Sequence, residues 1–280
     1  MVKRVLILLL VLAAVPAAAQ QNVRVPVSQN GRTLQLAAQL FRPAKVAAAV
    51  PAVAIFHGCG GPGQNTARMA GLLASWGYVA LVVDSFSARG LKDVCGRKNW
   101  PTQADAETRA HDIDAALAWL GQQSYVDPGR LAFMGYSYGG GVALLRALSA
   151  QTGAATSPST ARAAILLYPD CALADAMGPR LAVRQPTLFA LAALDDWTPV
   201  SQCKAVMDRI EQGRDLVETR LYEGAHHSFD ALGLPVRYLD GVGNRSKPGG
   251  CCGAHYGANE TAWKAFVGDV KAFLAKVFAR

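Results

Sequence analysis

The chain has 280 residues, 51% of them hydrophobic and 17% charged, a balance that supplies a large core and excludes a disordered tail. Its 27 Gly and 14 Pro follow no repeat, which excludes collagen-like and low-complexity architectures. The formal charge of +8 comes from scattered Lys and Arg, with no basic run and no aromatic-interleaved basic stripe, so no nucleic-acid partner is expected.

At the N-terminus, Lys3 and Arg4 precede an apolar run of about eleven residues, Val5 to Val15, followed by Ala17, Ala18 and Ala19. A positive pair, a short apolar stretch and small residues make the pattern of a secretory signal. The run is too short to cross ~30 Å of hydrocarbon as a permanent helix. No cysteine stands just past the expected cleavage site to carry a lipid, so no membrane anchor is expected. Residues 1–19 are therefore expected as a signal peptide and 20–280 as one domain, exported to the periplasm or beyond. Without Lys3 and Arg4 the mature charge is +6.

Asn22 to Val27 and Thr33 to Phe41 read as strands around a turn at Asn30-Gly31. Ala52 to His57 is a short apolar strand, Thr66 to Trp76 a helix stopped by Gly77, and Tyr78 to Asp84 a further strand. The alternation continues with a helix at 105–123, a strand at 130–135 and a helix at 138–150. Strands at 163–168 and 187–194, a helix at 200–212, a strand at 216–222 and a final helix at 259–279 complete the chain. This order predicts an α/β fold, a mostly parallel sheet of about eight strands covered on both faces. Two long connections, Ser85 to Gln103 and Ala231 to Ala258, fall at the carboxyl edge, where open α/β sheets bind ligands.

Gly135-Tyr136-Ser137-Tyr138-Gly139 matches G-x-S-x-G. The predicted strand runs directly into it and an Ala/Leu-rich helix runs out, the setting a nucleophile elbow needs to lift a serine hydroxyl clear of the sheet. A serine hydroxyl requires a base, usually a histidine oriented by a carboxylate. His226 and His227 both follow the last strand, while His111 lies within a helix and reads as a surface residue. Asp195 and Asp196 follow the strand at 187–194, with Asp195 preferred as the orienting acid and Asp196 read as a cap for the next helix. The chain order serine, aspartate, histidine differs from that of chymotrypsin-like and subtilisin-like proteases.

An oxyanion formed at the attacked carbonyl needs two backbone N–H donors already in place. One is Tyr138, the residue after the nucleophile. The other is expected in His57-Gly58-Cys59-Gly60-Gly61, with Cys59 first and Gly60 second, and His57 itself reads as structural. A histidine base acts only when neutral, so activity is expected to rise through about pH 6 to 7.

These segments together resemble the dienelactone hydrolase family of the α/β-hydrolase fold, over nearly all of the mature chain. The resemblance implies an acid four positions before a proline, which selects Asp195 before Pro199, and a base two positions before a phenylalanine, which selects His227 before Phe229. It implies hydrolysis of a carboxylic ester without metal or organic cofactor. Dienelactone hydrolases proper use a cysteine nucleophile, a glutamate near the oxyanion turn and two arginines for the substrate carboxylate. Here the nucleophile is Ser137, no acidic residue stands in the turn, and only Arg89 resembles one of the arginines. Where the second would stand there is Ala231, preceded by Asp230. Arg89 is thus the expected anion-binding residue.

Export brings six cysteines into an oxidising compartment. The architecture implied by the resemblance pairs Cys59 with Cys95 and Cys171 with Cys203, leaving Cys251 and Cys252 vicinally paired or free. Those two are adjacent, and His255 alone does not complete a zinc set. Two other readings share the fold. A prolyl-oligopeptidase-like peptidase would need a large extra domain, and a non-catalytic binding protein would have no use for Ser137, Asp195 and His227.

Overall fold

The computed structural model describes residues 19–96, 101–150 and 161–279. The expected signal peptide lies outside them except for Ala19, as do positions 97–100 of the first long connection. In chain order the elements are β1 (Ala19–Gln29), β2 (Arg32–Arg42), β3 (Val50–Phe56), α1 (Gln64–Ser75), β4 (Val79–Asp84), α2 (Gln103–Gly121), β5 (Val126–Tyr136), α3 (Tyr138–Ala147) and β6 (Leu148–Ala150). There follow β7 (Ala163–Leu167), β8 (Leu181–Val183), β9 (Thr187–Ala192), α4 (Val200–Asp208), β10 (Ile210–Gln212), β11 (Val217–Tyr222), β12 (Arg237–Leu239), β13 (Ala254–Tyr256) and α5 (Glu260–Phe278).

β1 and β2 form the expected hairpin. Its two-residue turn places Asn30 and Gly31 at φ 50° and 72°, the positive values that a type I′ turn demands and these residues tolerate. Eight strands make one sheet in the order β1-β2-β4-β3-β5-β7-β9-β11. All pairs from β4 to β11 are parallel, so the carboxyl ends of β3, β5, β9 and β11 lie along one edge. Strand periodicity sorts β3 between two cores. Ala52, Ala54 and Phe56 face one that includes residues of α2, α3 and α4, while Val53 and Ile55 face another built with α1 and α5. Burial on both faces is why these strands read as continuous apolar runs rather than alternating ones.

Two helices are shorter than their spacing predicts. The helix expected to reach Ala150 stops at Ala147 and gives way to β6, and the one expected to reach Gln212 stops at Asp208 before β10. With β8, which the pattern did not reveal, these strands form a second sheet in the order β10-β8-β6 that buries Leu148, Leu181 and Ile210. A three-residue strand shows too little of its period to be separated from an adjoining helix. The connection from Ala231 to Ala258 is likewise not free loop, since it carries the antiparallel pair β12 and β13.

Cys59 is bonded to Cys95 and Cys171 to Cys203, with Cα–Cα separations of 4.9 and 5.0 Å, and Cys251 is joined to Cys252. No helix among the described residues is long and apolar enough to cross a membrane.

Candidate active site

Ser137 sits between the end of β5 and the start of α3 with φ 54° and ψ −120°, a strained conformation for a residue with a side chain. The surrounding backbone holds it there. Its N–H donates to the Leu167 carbonyl at 2.9 Å, and its own carbonyl accepts from Gly141 at 2.9 Å and Asp170 at 3.1 Å. The two motif glycines are required by close approach. A Cβ at Gly135 would lie 2.1 Å from the Gly139 carbonyl oxygen, and one at Gly139 would lie 2.3 Å from that of His57. β5, α3 and the turn after β3 therefore meet without room for one methyl group.

The bend aims the serine at an imidazole. Ser137 Oγ lies 2.8 Å from His227 Nε2, and His227 Nδ1 lies 2.7 Å from Asp195 Oδ2, with all three residues buried. Asp195 reaches this position because β9 ends just before it. Its Oδ1 accepts the N–H groups of Trp197 at 2.9 Å and Thr198 at 2.8 Å, which leaves Oδ2 facing the ring. The structure thus brings Ser137, Asp195 and His227 into one contiguous chain of hydrogen bonds and separates each aspartate and histidine from its neighbour. His226 Nδ1 is buried with no partner among the described residues. Asp196 is not a helix cap, because Pro199 holds that position without a side-chain bond. Asp196 instead accepts from His255 N and His255 Nδ1, both at 2.8 Å. His111 is exposed, as expected.

Several residues of this cluster carried no signal in the sequence. Thr198 Oγ1 lies 3.0 Å from Asp195 Oδ2, 3.1 Å from His227 Nδ1 and 3.0 Å from the Tyr168 carbonyl. The Tyr168 and Trp197 rings pack on the imidazole, with centroids 4.7 and 4.8 Å away. Behind them, the buried Asp230 carboxylate accepts from Tyr168 Oη at 2.6 Å and Asn65 Nδ2 at 3.0 Å. Burial pushes its pKa above the usual carboxylate range, while these two donors oppose the shift. Asp230 is therefore a support beneath the histidine. Thr198 and Asp230 stand inside the Asp195-to-Pro199 and His226-to-Asp230 segments, and their roles appear only when those segments meet.

On the other side of Ser137 stands the turn after β3. A Cβ at Gly58 would sit 3.3 Å from Ser137 Cβ, so Cys59 and Gly60 follow a residue already against Ser137. His57 is fully buried. Its Nε2 accepts the Ser85 N–H at 3.2 Å, which leaves the proton on Nδ1 to donate to the Gly58 carbonyl at 2.7 Å. Burial first, and the Arg109 cation second, hold its pKa well below the ordinary histidine value, so the ring is neutral.

A cavity of about 400 Å³ opens beside Tyr138, walled in part by Phe86, Leu91, Val94, Pro101 and Arg89. Arg89, the expected anion-binding residue, lines this cavity and is already paired. Its guanidinium grips the Asp112 carboxylate at 2.8 and 2.9 Å and also donates to the Ser85 carbonyl and to Gln29. Asp112 is fully buried, so the pair is neutralised inside the protein. The two long connections meet over the site. Gly243 N donates to the Cys95 carbonyl at 2.9 Å, and Arg245 donates to the Pro101 carbonyl at 2.6 Å and to Asp170 at 3.0 Å. Among the described residues no three His, Cys, Asp or Glu side chains converge as a metal site.

Comparison with known proteins identifies the fold and the family. The "Probable 2-oxo-3-(5-oxofuran-2-ylidene)propanoate lactonase" of Bradyrhizobium sp is 29% identical over 200 residues, covering 69% of this chain and 78% of its own. The crystal structure of a dienelactone hydrolase from Anabaena variabilis superposes with a TM-score of 0.56 at 22% identity, covering 76% of this chain and 91% of that one. A thermophilic esterase from Thermogutta terrifontis superposes with a TM-score of 0.58 at 18% identity, covering 94% of each chain. At such identities the two structures show the shared α/β-hydrolase fold. The sequence pattern of the dienelactone hydrolase family extends over residues 36–274, and the chain belongs to that family.

Proposed function

We propose that this hydrolase is an exported serine esterase that cleaves a carboxylic ester through an acyl-enzyme. The observation that carries the reading is the unbroken sequence of contacts from Ser137 Oγ to His227 Nε2 at 2.8 Å and from His227 Nδ1 to Asp195 Oδ2 at 2.7 Å. Ser137 Oγ attacks the carbonyl carbon as its proton passes to His227 Nε2. Asp195 holds the tautomer and stabilises the imidazolium. The carbonyl oxygen becomes an oxyanion bound by the N–H groups of Tyr138 and Cys59. Tyr138 opens a helix, so its N–H has no intrahelical acceptor. Collapse expels the alcohol with the proton from His227, and water repeats the sequence to release the acid.

A lactone is an internal ester, and the Bradyrhizobium relative is named as a probable lactonase. Arg89 is paired with Asp112, and the cavity we assign to the substrate sets Phe86, Leu91, Val94 and Pro101 beside the charged Asp93, Asp105 and Arg109. Export is supported by the order of residues 1–19 and by the disulfides Cys59–Cys95 and Cys171–Cys203, which persist in an oxidising compartment. The reading takes residues 20–280 as one catalytic domain that acts on a small molecule without a cofactor.

Labelling with a fluorophosphonate followed by peptide mapping tests the nucleophile. An adduct on Ser137 is expected, lost in Ser137→Ala together with hydrolysis of aryl acetates. An unlabelled Ser137 overturns the reading in favour of a binding protein.

A further inference from the structure

Arg109 lies on α2, outside the motifs, and is 3% exposed. Its Nη2 donates to the His57 carbonyl at 2.5 Å. Its Cζ stands 5.0 Å from the centroid of the Tyr138 ring and 5.1 Å from that of Phe86, so the guanidinium packs against two aromatic faces. Nε and Nη1 find no hydrogen-bond partner among the described residues. A buried cation with idle donors is a costly way to fill space, and an apolar side chain of similar shape would do so at less expense. Burial lowers its pKa only to about 10, so the charge persists at neutral pH.

We propose that Arg109 is a positioning residue that holds the two backbone donors of the oxyanion hole in one frame. The inference rests on the reading of Ser137 as the nucleophile of an acyl-enzyme. The His57 carbonyl that Arg109 grips begins the turn that supplies one donor, and the Tyr138 ring belongs to the residue that supplies the other. The next link is His57 itself. Its Nδ1–H holds the Gly58 carbonyl at 2.7 Å, and that carbonyl shares a planar peptide with the Cys59 N–H. Fixing the oxygen on the His57 side turns the Cys59 N–H to the opposite side. The same His57 carbonyl is the group that a Cβ on Gly139 would strike, so the gripped oxygen also sets the spacing between turn and elbow. Phe86 completes the clamp, stacking on Arg109 and meeting the His57 ring edge-on at 4.5 Å.

Arg109→Gln, Arg109→Lys and Phe86→Leu are compared with the wild type on p-nitrophenyl acetate, a neutral ester, and on an ester carrying a free carboxylate. Affinity for a trifluoromethyl ketone, whose serine adduct bears an oxyanion, is measured alongside. Losing one donor from an oxyanion hole costs about 100- to 1,000-fold in kcat, and displacing a positioned group by an ångström about 100-fold. Arg109→Gln is therefore expected to lower kcat by about 30- to 100-fold with KM within about threefold, and to weaken the ketone by the same factor. Arg109→Lys, which keeps the charge and one donor, is expected to recover part of both. Phe86→Leu, which leaves Arg109 in place, is expected to lose about tenfold in both, and it decides the matter should Arg109→Gln not fold.

A kcat within threefold of wild type, or a lower kcat without weaker ketone binding, overturns the inference. So does a KM increase confined to the carboxylate ester, which would make Arg109 a substrate contact. Fluorophosphonate labelling separates the two levels of the argument. A wild type that does not label fails at the hydrolase reading, whereas a labelled wild type with unaffected variants fails at Arg109 alone.

Discussion

The two halves of the site are held by different physics. The serine half, from Gly58 through Ser137 to Gly141, is packed backbone against backbone, with glycines where a Cβ would strike a carbonyl oxygen at 2.1 or 2.3 Å, and the His57 and Arg109 side chains hold the carbonyls of its turn. The histidine half is fixed by side chains that bond across the chain, as Thr198 does with Asp195 and Tyr168, and Asp230 with Tyr168 and Asn65. Backbone packing tolerates no added atom and does not itself titrate. Side-chain networks tolerate changes of shape better but fail when a donor or acceptor is removed.

The largest expected effect lies in the histidine half. Asp195→Asn should lower kcat by about ten-thousandfold, because the amide stabilises the wrong imidazole tautomer, while thermal unfolding stays near that of wild type. A loss under tenfold in steady-state kinetics would mean that Asp195 does not orient the ring. Next comes Gly139→Ala in the serine half, a smaller chemical change with a mechanical consequence. The new methyl group must push the His57 carbonyl away, so we expect kcat to fall about a hundredfold and denaturant stability by roughly 3 kcal/mol. Unchanged stability would break the claim that backbone contact governs this half.

Thr198→Val sharpens the contrast. It removes a hydroxyl at nearly constant volume from the histidine side, and the loss of about one net hydrogen bond predicts a five- to tenfold drop in kcat with KM unchanged. An inactive variant would instead make the hydroxyl essential. The smallest effect concerns pH. Folded His57 stays neutral because burial depresses its pKa, whereas the unfolded chain binds a proton there below about pH 6.5. Its contribution to stability is therefore complete above that pH and lost progressively as pH falls, by at most about 1.4 kcal/mol per pH unit. Urea titrations at pH 7.0 and 5.5 should show a shallower decline for His57→Gln than for wild type. Equal declines would place the acid sensitivity elsewhere.

The same division governs what could be read in advance. The elbow was legible because its pattern is local: a strand, five residues with glycine at both ends, then a helix. β3, β4, β7, β9 and the second half of β5 were legible because both faces are buried, which leaves unbroken apolar runs, and β1 and β2 because Asn30-Gly31 marks the turn between them. β6, β8 and β10 were not, since three residues show too little periodicity and their pairing partners lie far away in sequence. Arg89 shows what motif reading leaves open. Its position resembles an anion-binding arginine, yet Asp112, 23 residues further on, takes its charge.

By itself the amino-acid sequence determined the layered α/β architecture, the serine at the bend and the order of serine, aspartate and histidine. Those follow from hydrophobic period and from glycine spacing, which act over a few residues. Only the tertiary structure decided that Thr198 and Tyr168 meet His227 with Asp230 behind them, that Arg89 pairs with Asp112 and that Arg109 reaches the turn after β3. Hydrogen bonds and ion pairs are short-ranged, and whether two distant side chains come within 3 Å is set by the packing of the elements that carry them.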